Sequence, residues 1–226
     1  MVFKEKQEQP DYLVGSVDFL GSKIDLSQKP FIPRSETEFW VEKSLDKLQD
    51  IKKDKIYCLD LFSGSGCIGI SVLKKIKNSC CDFGEVDKNF LKQIEINLAG
   101  NKISGERRKI IKTNIFSGVK KKYDCIFANP PYVAENRIDE VEESVKMYEP
   151  NKALFAGEDG MFFIRKFLKE FENYLNDEGM VFMEFDPDQK KEIEDLLKAK
   201  KGIKFEFWED QFKKFRTVFI KKQAQN

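Results

Sequence analysis

The stretch "LDLFSGSGCIG" (residues 59–69) joins an apolar run to a helical pattern and carries Gly64 and Gly66 at the junction. Glycine lets the backbone turn tightly and approach a ligand closely, and the first N–H groups of the following helix are free to bind a ligand. A buried strand, a glycine loop and a helix in this order indicate the first unit of a parallel α/β sheet.

The next apolar run, "CCDFGEVD" (80–87), ends on Asp87, 21 residues after Gly66. An acidic side chain at this position can accept hydrogen bonds from ribose hydroxyls. The loop is not a dinucleotide G-x-G-x-x-G loop, because Phe62 stands where a glycine is common, and no G-K-[ST] of a P-loop follows it. Asp60 could accept hydrogen bonds from the loop amides or reach a cationic ligand group. A carboxylate beside the loop favours S-adenosylmethionine over a cofactor that binds through its pyrophosphate.

The remaining sequence alternates between strand and helix patterns. Strand patterns cover 55–62, 80–87, 108–116, 123–129, 179–185, 203–210 and 215–222, and helical patterns cover 66–77, 88–101, 160–175 and 187–201. A further helix is expected after "PRSETE" (33–38), with Ser35 as its cap and Glu38 completing a capping box. Apolar strands that alternate with helices predict a mostly parallel, doubly wound sheet with helices on both faces.

Composition narrows the possible classes of protein. The chain has 226 residues, 41% of them hydrophobic, and a formal net charge of +1, which argues against a broad nucleic-acid surface. It has five cysteines without a C-x-x-C pair and no histidine, which excludes a histidine-based triad and argues against a zinc site. We therefore expect reduced, buried thiols and a cytoplasmic protein, with no signal peptide, no membrane span and no bound metal.

A second motif, "FANPPYV" (127–133), ends the strand pattern at 123–129. Proline lacks the N–H that a strand ladder needs, so Pro130 and Pro131 must stop the strand. The motif is therefore either a strand-ending turn or a site built from Asn129, the two prolines and Tyr132.

Several motifs occur in a fixed order along the chain: "FIPRSETE" (31–38), "LDLFSGSG" (59–66), "EVD" (85–87), "NIF" (114–116), "NPPY" (129–132), "YEP" (148–150), "ALFAGEDG" (153–160) and "EFDPDQ" (184–189). Together they resemble the HemK/PrmC protein-(glutamine-N5) methyltransferases, which modify the glutamine of the Gly-Gly-Gln motif in peptide chain release factors. The resemblance covers roughly residues 12–221. It implies a class I S-adenosylmethionine-dependent methyltransferase fold, with a seven-stranded, mainly parallel sheet whose last strand is antiparallel.

The resemblance also implies roles for single residues. Asp87 would bind the ribose hydroxyls, and Ile115 with Phe116 would flank the adenine. The cofactor-binding residues expected in this way are Asp60, Phe62, Ser63, Gly64, Ser65, Gly66, Asp87, Asn114, Ile115, Phe116 and Asn129. The catalytic and substrate-binding residues are Asn129, Pro130, Pro131 and Tyr132.

For these four residues we predict a mechanism that needs no strong base. The side-chain oxygen of Asn129 and the carbonyl of Pro130 would accept the two N–H groups of the substrate amide and steer its lone pair toward the methyl group. Pro131 would stiffen the turn, and Tyr132 would pack against the flat amide.

This chain departs from the family pattern at Phe62, Ser35, Asn114 and Asp186, where glycine, proline, aspartate and glycine are usual. Family members also carry a helical N-terminal domain, which we expect this chain to lack. The expected organisation is a polar tail (1–12), a β-hairpin extension (13–30) and a methyltransferase domain (31–226).

Two other functions stay open at this point. "NPPY" also occurs in amino-methyltransferases that act on adenine N6 or guanine N2 in nucleic acid, and an inactive cofactor-binding homologue is the third reading. The segment 134–150 is either a lid that faces a basic substrate or a solvated helix. We expect a release factor as the partner, no nucleic acid, and a monomer.

Overall fold

The computed structural model describes residues 10–140, 143–150 and 154–224. The described chain begins with a short helix, α1 (Pro10–Val14), and an antiparallel hairpin of β1 (Ser16–Phe19) and β2 (Ser22–Asp25). The predicted hairpin is confirmed, but it is narrower than 13–30. The expected boundary after residue 12 falls inside α1, because Pro10 at the first helical position and Asp11 in the first turn both favour a helix. Residues 1–9 of the predicted tail lie outside the described residues.

The rest of the chain alternates between helices and strands, as predicted. In order, these are α2 (Ser35–Gln49), β3 (Ile56–Leu61), α3 (Cys67–Lys75), β4 (Ser79–Glu85), α4 (Lys88–Gly100), β5 (Arg108–Lys112), β6 (Tyr123–Ala128), α5 (Glu143–Tyr148), α6 (Phe162–Glu170), β7 (Leu175–Glu184), α7 (Lys190–Lys198), β8 (Ile203–Glu209) and β9 (Phe215–Lys222). Short 3-10 turns cover Gly105–Arg107, Glu135–Glu140, Phe171–Tyr174 and Pro187–Gln189.

Strands β3 to β9 form one seven-stranded sheet in the order β5-β4-β3-β6-β7-β9-β8. Strand β9 runs antiparallel to both of its neighbours, and the other neighbouring pairs are parallel. This is the predicted sheet with an antiparallel last strand. The strand order changes direction between β3 and β6, and ligands of open α/β sheets bind where the order changes, beyond the carboxyl ends of the strands.

Both faces of the sheet are buried. Phe127 and Phe182 point to one face, where they pack with Trp40 of α2, while Ile126 and Val181 point to the other face and pack with α6 and α7. Side chains alternate between faces along a strand, so each central strand carries apolar side chains on both faces and supplies two cores. The predicted helices on both faces are confirmed.

Three local predictions were wrong in detail. Arg34 rather than Ser35 caps α2, and no side chain completes the cap, because Glu38 accepts a hydrogen bond from the backbone N–H of Leu20 instead. The strand predicted over 108–116 ends at Lys112, because the backbone turns sharply before Ile115, whose φ is +54°. The helix predicted over 160–175 spans only Phe162–Glu170, and β7 begins already at Leu175.

All five cysteines are buried and free, in agreement with the prediction of buried thiols. Among the described helices, none has the length and apolar character needed to cross a bilayer.

Candidate active site

A cleft with an open volume of about 1140 Å³ lies beyond the carboxyl ends of β3, β4 and β6, where the strand order changes direction. The glycine loop and the "NPPY" segment both border this cleft. The structure thus brings together the two motifs that the sequence singled out, although 63 residues separate Gly66 from Asn129. They meet because β3 and β6 are parallel neighbours whose carboxyl ends reach the same edge.

The glycine loop has an unusual backbone. Gly64 and Gly66 have φ values of +52° and +80°, and Gly66 is the residue at which α3 begins. Phe62 has a φ of +61°, a conformation that glycine adopts easily and other residues rarely. Its ring borders the cleft and contacts the edge of Phe163, with 5.9 Å between centroids.

Glu85 holds the glycine loop in place, and we did not predict this role. It is buried at the end of β4, where its carboxylate accepts hydrogen bonds from the N–H groups of Gly64 (3.0 Å), Val86 (2.7 Å) and Asp87 (3.0 Å). Burial raises the pKa of Glu85, whereas these three donors oppose that shift. The signal in the sequence was an acidic residue in "GEVD", two positions before Asp87.

Asp87 borders the cleft and caps α4, since its Oδ1 accepts a hydrogen bond from the N–H of Asn89 at 2.8 Å. This places its carboxylate on the same side of the cleft as Ser63, Gly64 and Ser65, which also border it. The position fits the predicted contact with ribose hydroxyls.

Asp60 does not border the cleft. It is fully buried, and its Oδ2 accepts a hydrogen bond at 2.9 Å from the N–H of Gly69, which belongs to α3 rather than to the loop. Within the described residues, its Oδ1 has no hydrogen-bond partner. Burial raises the pKa of Asp60 to about 8, the Gly69 bond opposes this, and the charge of Glu85 adds to it. Asp60 therefore holds the first turn of α3, which is an indirect contribution to the cofactor site.

The segment "NIF" divides between the cleft and the core. Asn114 and Ile115 border the cleft, as expected. Phe116 is buried instead, where its ring stacks on Tyr174 with centroids 4.4 Å apart and planes inclined by 4°. The predicted contact of Phe116 with adenine is thus replaced by a contact with the core, because the turn at Ile115 directs the next side chain inward.

All four residues of the "NPPY" motif border the cleft. The Asn129 amide nitrogen lies 3.5 Å from the hydroxyl of Thr37, and the Tyr132 hydroxyl donates to Oε1 of Glu184 at 3.0 Å. Gln189 donates to the backbone carbonyl of Tyr132 at 2.9 Å. The motif is therefore held by contacts to α2, to β7 and to the turn before α7.

Glu184 links these contacts. It is 1% exposed at the end of β7 and accepts three hydrogen bonds, from Thr37 (2.7 Å), Trp40 (2.7 Å) and Tyr132 (3.0 Å). Burial raises the pKa of Glu184, and its three donors oppose the rise. Burial also raises the pKa of Tyr132 well above its usual value, and the charge of Glu184 adds to this, so the Tyr132 hydroxyl stays protonated.

The segment that follows the motif contacts a stretch of chain that borders the cleft. Glu149 is buried, forms an ion pair with Arg34, and accepts a hydrogen bond from the N–H of Ile32 at 3.3 Å. Phe31 and Pro33, on either side of Ile32, border the cleft. In the described part of 134–150, a 3-10 turn (Glu135–Glu140) and α5 lead to this anchor.

Comparison with known proteins agrees with this architecture. Residues 43–177 match the family model of the methyltransferase small domain. The release factor glutamine methyltransferase of Thermodesulfovibrio yellowstonii is 33% identical over 192 residues, which are 84% of this chain and 68% of that protein. The chain belongs to the release factor glutamine methyltransferase family. The Lactococcus lactis member of this family is 30% identical, over 96% of this chain and 78% of its own length.

The chain spans about half the length of one further relative, the release factor glutamine methyltransferase of Fusobacterium nucleatum, with 32% identity over 87% of this chain and 55% of that protein. Solved structures support the fold. A 16S rRNA N2 G1207 methyltransferase from T. thermophilus, in complex with AdoMet and guanosine, has a TM-score of 0.66 at 16% identity, over 92% of this chain and 50% of that chain. A ribosomal protein L11 methylase from Lactobacillus delbrueckii has a TM-score of 0.63 at 17% identity, over 89% of this chain and 84% of that chain.

Membership of the release factor glutamine methyltransferase family confirms the predicted family, fold class and cofactor, S-adenosylmethionine. The sequence analysis did not predict the role of Glu85, which binds the backbone of the glycine loop. The structure also joins Thr37 and Glu184 to the "NPPY" motif.

Proposed function

We propose that this protein transfers a methyl group from S-adenosylmethionine to the side-chain amide nitrogen, N5, of a protein glutamine, namely the glutamine of the Gly-Gly-Gln motif in a peptide chain release factor. The observation that carries the proposal is that Asn129 and Pro130 border the same cleft as the glycine loop. Because release factors work in the cytoplasm, we place the reaction there.

The residues on the cofactor side of the cleft fit S-adenosylmethionine. Gly64 leaves room for close approach, Asp87 offers a carboxylate for the ribose, and Phe62, Val86 and Ile115 offer apolar contacts for the adenine. Gly66 does not border the cleft, and a Cβ at this position would meet Ile94 at 3.4 Å. When bound, this cofactor supplies an electrophilic methyl group on a sulfonium. The buried Glu85 adds to the fit because its hydrogen bond to the N–H of Gly64 fixes the backbone of the glycine loop.

On the substrate side, the chain must orient a weak nucleophile. The lone pair of an amide nitrogen is delocalised into its carbonyl, so the nitrogen reacts only when it is held in line with the methyl group. The Asn129 side-chain oxygen and the Pro130 carbonyl would accept the two N–H groups, and the Tyr132 ring would cover the amide plane. Such alignment can lower a barrier by up to about 7–11 kcal/mol. One amide proton leaves to water as the new N–C bond forms.

The surroundings of Tyr132 favour a protein substrate over a nucleic acid. A second cleft starts at Tyr132 and is bordered by Arg137 and by five carboxylates, which belong to Glu140, Asp159, Asp186, Asp188 and Glu192. Arg137 and Arg165 form ion pairs with all five, and the five carboxylates and two arginines together keep a net charge of −3. Carboxylates repel a phosphate backbone and attract basic groups. A basic protein segment is therefore a better match to this side of the active site than DNA or RNA.

The test is methyl transfer from labelled S-adenosylmethionine to a purified release factor, beside a copy in which the Gly-Gly-Gln glutamine is changed to alanine. We expect label in the first and none in the second. Equal labelling of both would reject the target residue. Label on neither, with label on RNA or DNA, would favour the nucleic-acid alternative.

The matching enzyme variant is N129A. We expect it to lower turnover by about 100-fold or more, because the substrate amide loses an acceptor, while calorimetry shows little change in S-adenosylmethionine binding. Near-normal turnover in N129A would reject the mechanism even if the release factor is the substrate.

A further inference from the structure

The direction of each hydrogen bond around Glu184 follows from which of its two partners can donate a proton. Oε2 of Glu184 contacts two groups, the indole N–H of Trp40 and the hydroxyl of Thr37, each at 2.7 Å. An indole nitrogen can only donate and an ionised carboxylate can only accept, so Oε2 of the ionised Glu184 accepts both bonds. The single proton of the Thr37 hydroxyl must therefore point at Glu184.

This direction determines which end of the Asn129 amide faces Thr37. Since the Thr37 proton is used, its oxygen has only lone pairs left, and these match an N–H donor. The Asn129 amide nitrogen accordingly lies 3.5 Å from the Thr37 oxygen. The amide oxygen, Oδ1, is on the other branch of the same carbon and is not held by Thr37, and Asn129 borders the cleft.

We propose that Thr37 is a positioning residue that, with Glu184 behind it, keeps the Asn129 side-chain oxygen turned toward the substrate amide. The inference rests on the proposed function, because it concerns how the substrate amide is received. In the reversed orientation, Asn129 would present N–H groups to the N–H groups of the substrate, and two donors cannot bond to each other. The two linked hydrogen bonds, from Asn129 to Thr37 and from Thr37 to Glu184, form a relay that excludes that orientation before the substrate binds.

The same carboxylate also holds the other end of the motif. Oε1 of Glu184 accepts the hydroxyl proton of Tyr132 at 3.0 Å. The buried carboxylate of Glu184, at the end of β7, therefore fixes the positions of both Asn129 and Tyr132, which lie outside this strand.

The first test compares T37V with T37S. Valine has nearly the shape of threonine but no hydroxyl, so Asn129 is free to turn, and we expect kcat to fall about 10- to 100-fold with an unchanged S-adenosylmethionine Kd. T37S keeps the hydroxyl and should restore most of the turnover. S44A is a matched control, because Ser44 is a buried hydroxyl on the same helix that bonds only the Val41 carbonyl, 2.6 Å away. Equal losses in T37V and T37S, or in S44A, would overturn the proposal.

The second test repeats T37V in an N129D background. An aspartate has oxygen at both ends, so it needs no partner to choose between them. We expect T37V to cost no further turnover in N129D, whereas the same fold-loss in both backgrounds would show that Thr37 acts in another way.

A third measurement does not depend on turnover. The side-chain amide NMR signal of Asn129, assigned by its loss in N129D, should shift in T37V and stay in place in T37S. An unchanged signal in T37V would overturn the relay. A shifted signal in an enzyme that does not methylate release factor would uphold the relay and reject only the proposed substrate.

Discussion

Phe62 and Ile115 both have positive φ values, +61° and +54°, and both border the cofactor side of the cleft. Left-handed backbone is costly for bulky residues, and a β-branched residue such as Ile115 is rarely found there. Such conformations persist only where surrounding contacts hold them, and they concentrate at functional sites. Here they turn two apolar side chains toward the place where an adenine would lie.

Two variants of Phe62 distinguish the effect of the strained backbone from the effect of the ring contact. F62A and F62G both remove the ring, and we expect both to weaken S-adenosylmethionine binding by about tenfold, which is about 1.4 kcal/mol. Only glycine is relaxed at this φ, so F62G should be about 1 kcal/mol more stable than F62A. Calorimetry and denaturant unfolding measure the two effects. Equal stability of the two variants would show that the backbone is not strained at Phe62.

Among the elements, the N-terminal hairpin is tied directly to the glycine loop. Asn97 of α4 is 1% exposed and bonds three backbone groups, the N–H of Asp25 (2.7 Å), the carbonyl of Asp25 (3.1 Å) and the carbonyl of Ser65 (2.9 Å). The hairpin is therefore a structural support of the cofactor wall.

We expect N97A to lower the free energy of unfolding by at least about 2 kcal/mol, because it leaves buried backbone groups unpaired, and to weaken cofactor binding as well. N101A is the control. Asn101 also bonds the hairpin, at the Lys23 carbonyl (2.8 Å), but makes no bond to the glycine loop. N101A should cost less than about 1 kcal/mol and spare cofactor binding. A similar loss of cofactor affinity in both variants would contradict this role of Asn97.

The turn before α6 presses against the "NPPY" segment at Gly160. A Cβ at Gly160 would lie 2.3 Å from the Tyr132 carbonyl oxygen and 2.8 Å from the Gln189 side chain, whereas a Cβ at Gly157 would meet nothing closer than 3.7 Å. Both glycines have positive φ, +74° and +81°. G160A and G157A thus share the backbone penalty and differ in the clash.

We expect G160A to lower both stability and kcat, because the Tyr132 carbonyl must move, and G157A to lower stability by about 1 kcal/mol with turnover preserved. Thermal unfolding and methyl transfer distinguish the two outcomes. Equal turnover in G160A and G157A would show that the Tyr132 carbonyl can shift without disturbing the active site.

For the molecule as a whole, the central strands carry ionisable groups into the buried sheet, and Asp60 is one whose pKa is strongly raised. Its pKa is raised from 3.8 to about 8 by burial. An acid whose pKa is higher in the folded state contributes stability that is complete below pH 4 and is lost as pH rises through about 8.

D60N removes this titration and keeps an acceptor for Gly69. Compared with D60N, the wild type should lose up to about 1.4 kcal/mol of unfolding free energy for each pH unit between pH 4 and 8. Denaturant unfolding at several pH values measures the difference. A difference between D60N and wild type that does not change with pH would mean that Asp60 titrates normally.

Much of this architecture was predictable because it depends on local patterns. Apolar runs that end in glycine loops or prolines specify parallel strands, and the carboxyl ends of such strands must share one edge. The family resemblance added the expectation that the glycine loop, Asp87 and Asn129 bind one cofactor. The sequence therefore determined the fold class and the cofactor, and it predicted which residues react.

The tertiary structure was needed wherever a residue's role depends on a partner distant in sequence. Phe116 stacks on Tyr174 instead of bordering the cleft, Glu38 bonds Leu20 instead of capping its own helix, and Asp60 is turned into the core. Glu184 reaches Thr37 across 147 positions in the chain. Periodicity shows that a side chain is buried and toward which face, but a hydrogen bond in the interior needs both partners within about 3 Å, and only the packing of the elements brings them to that distance.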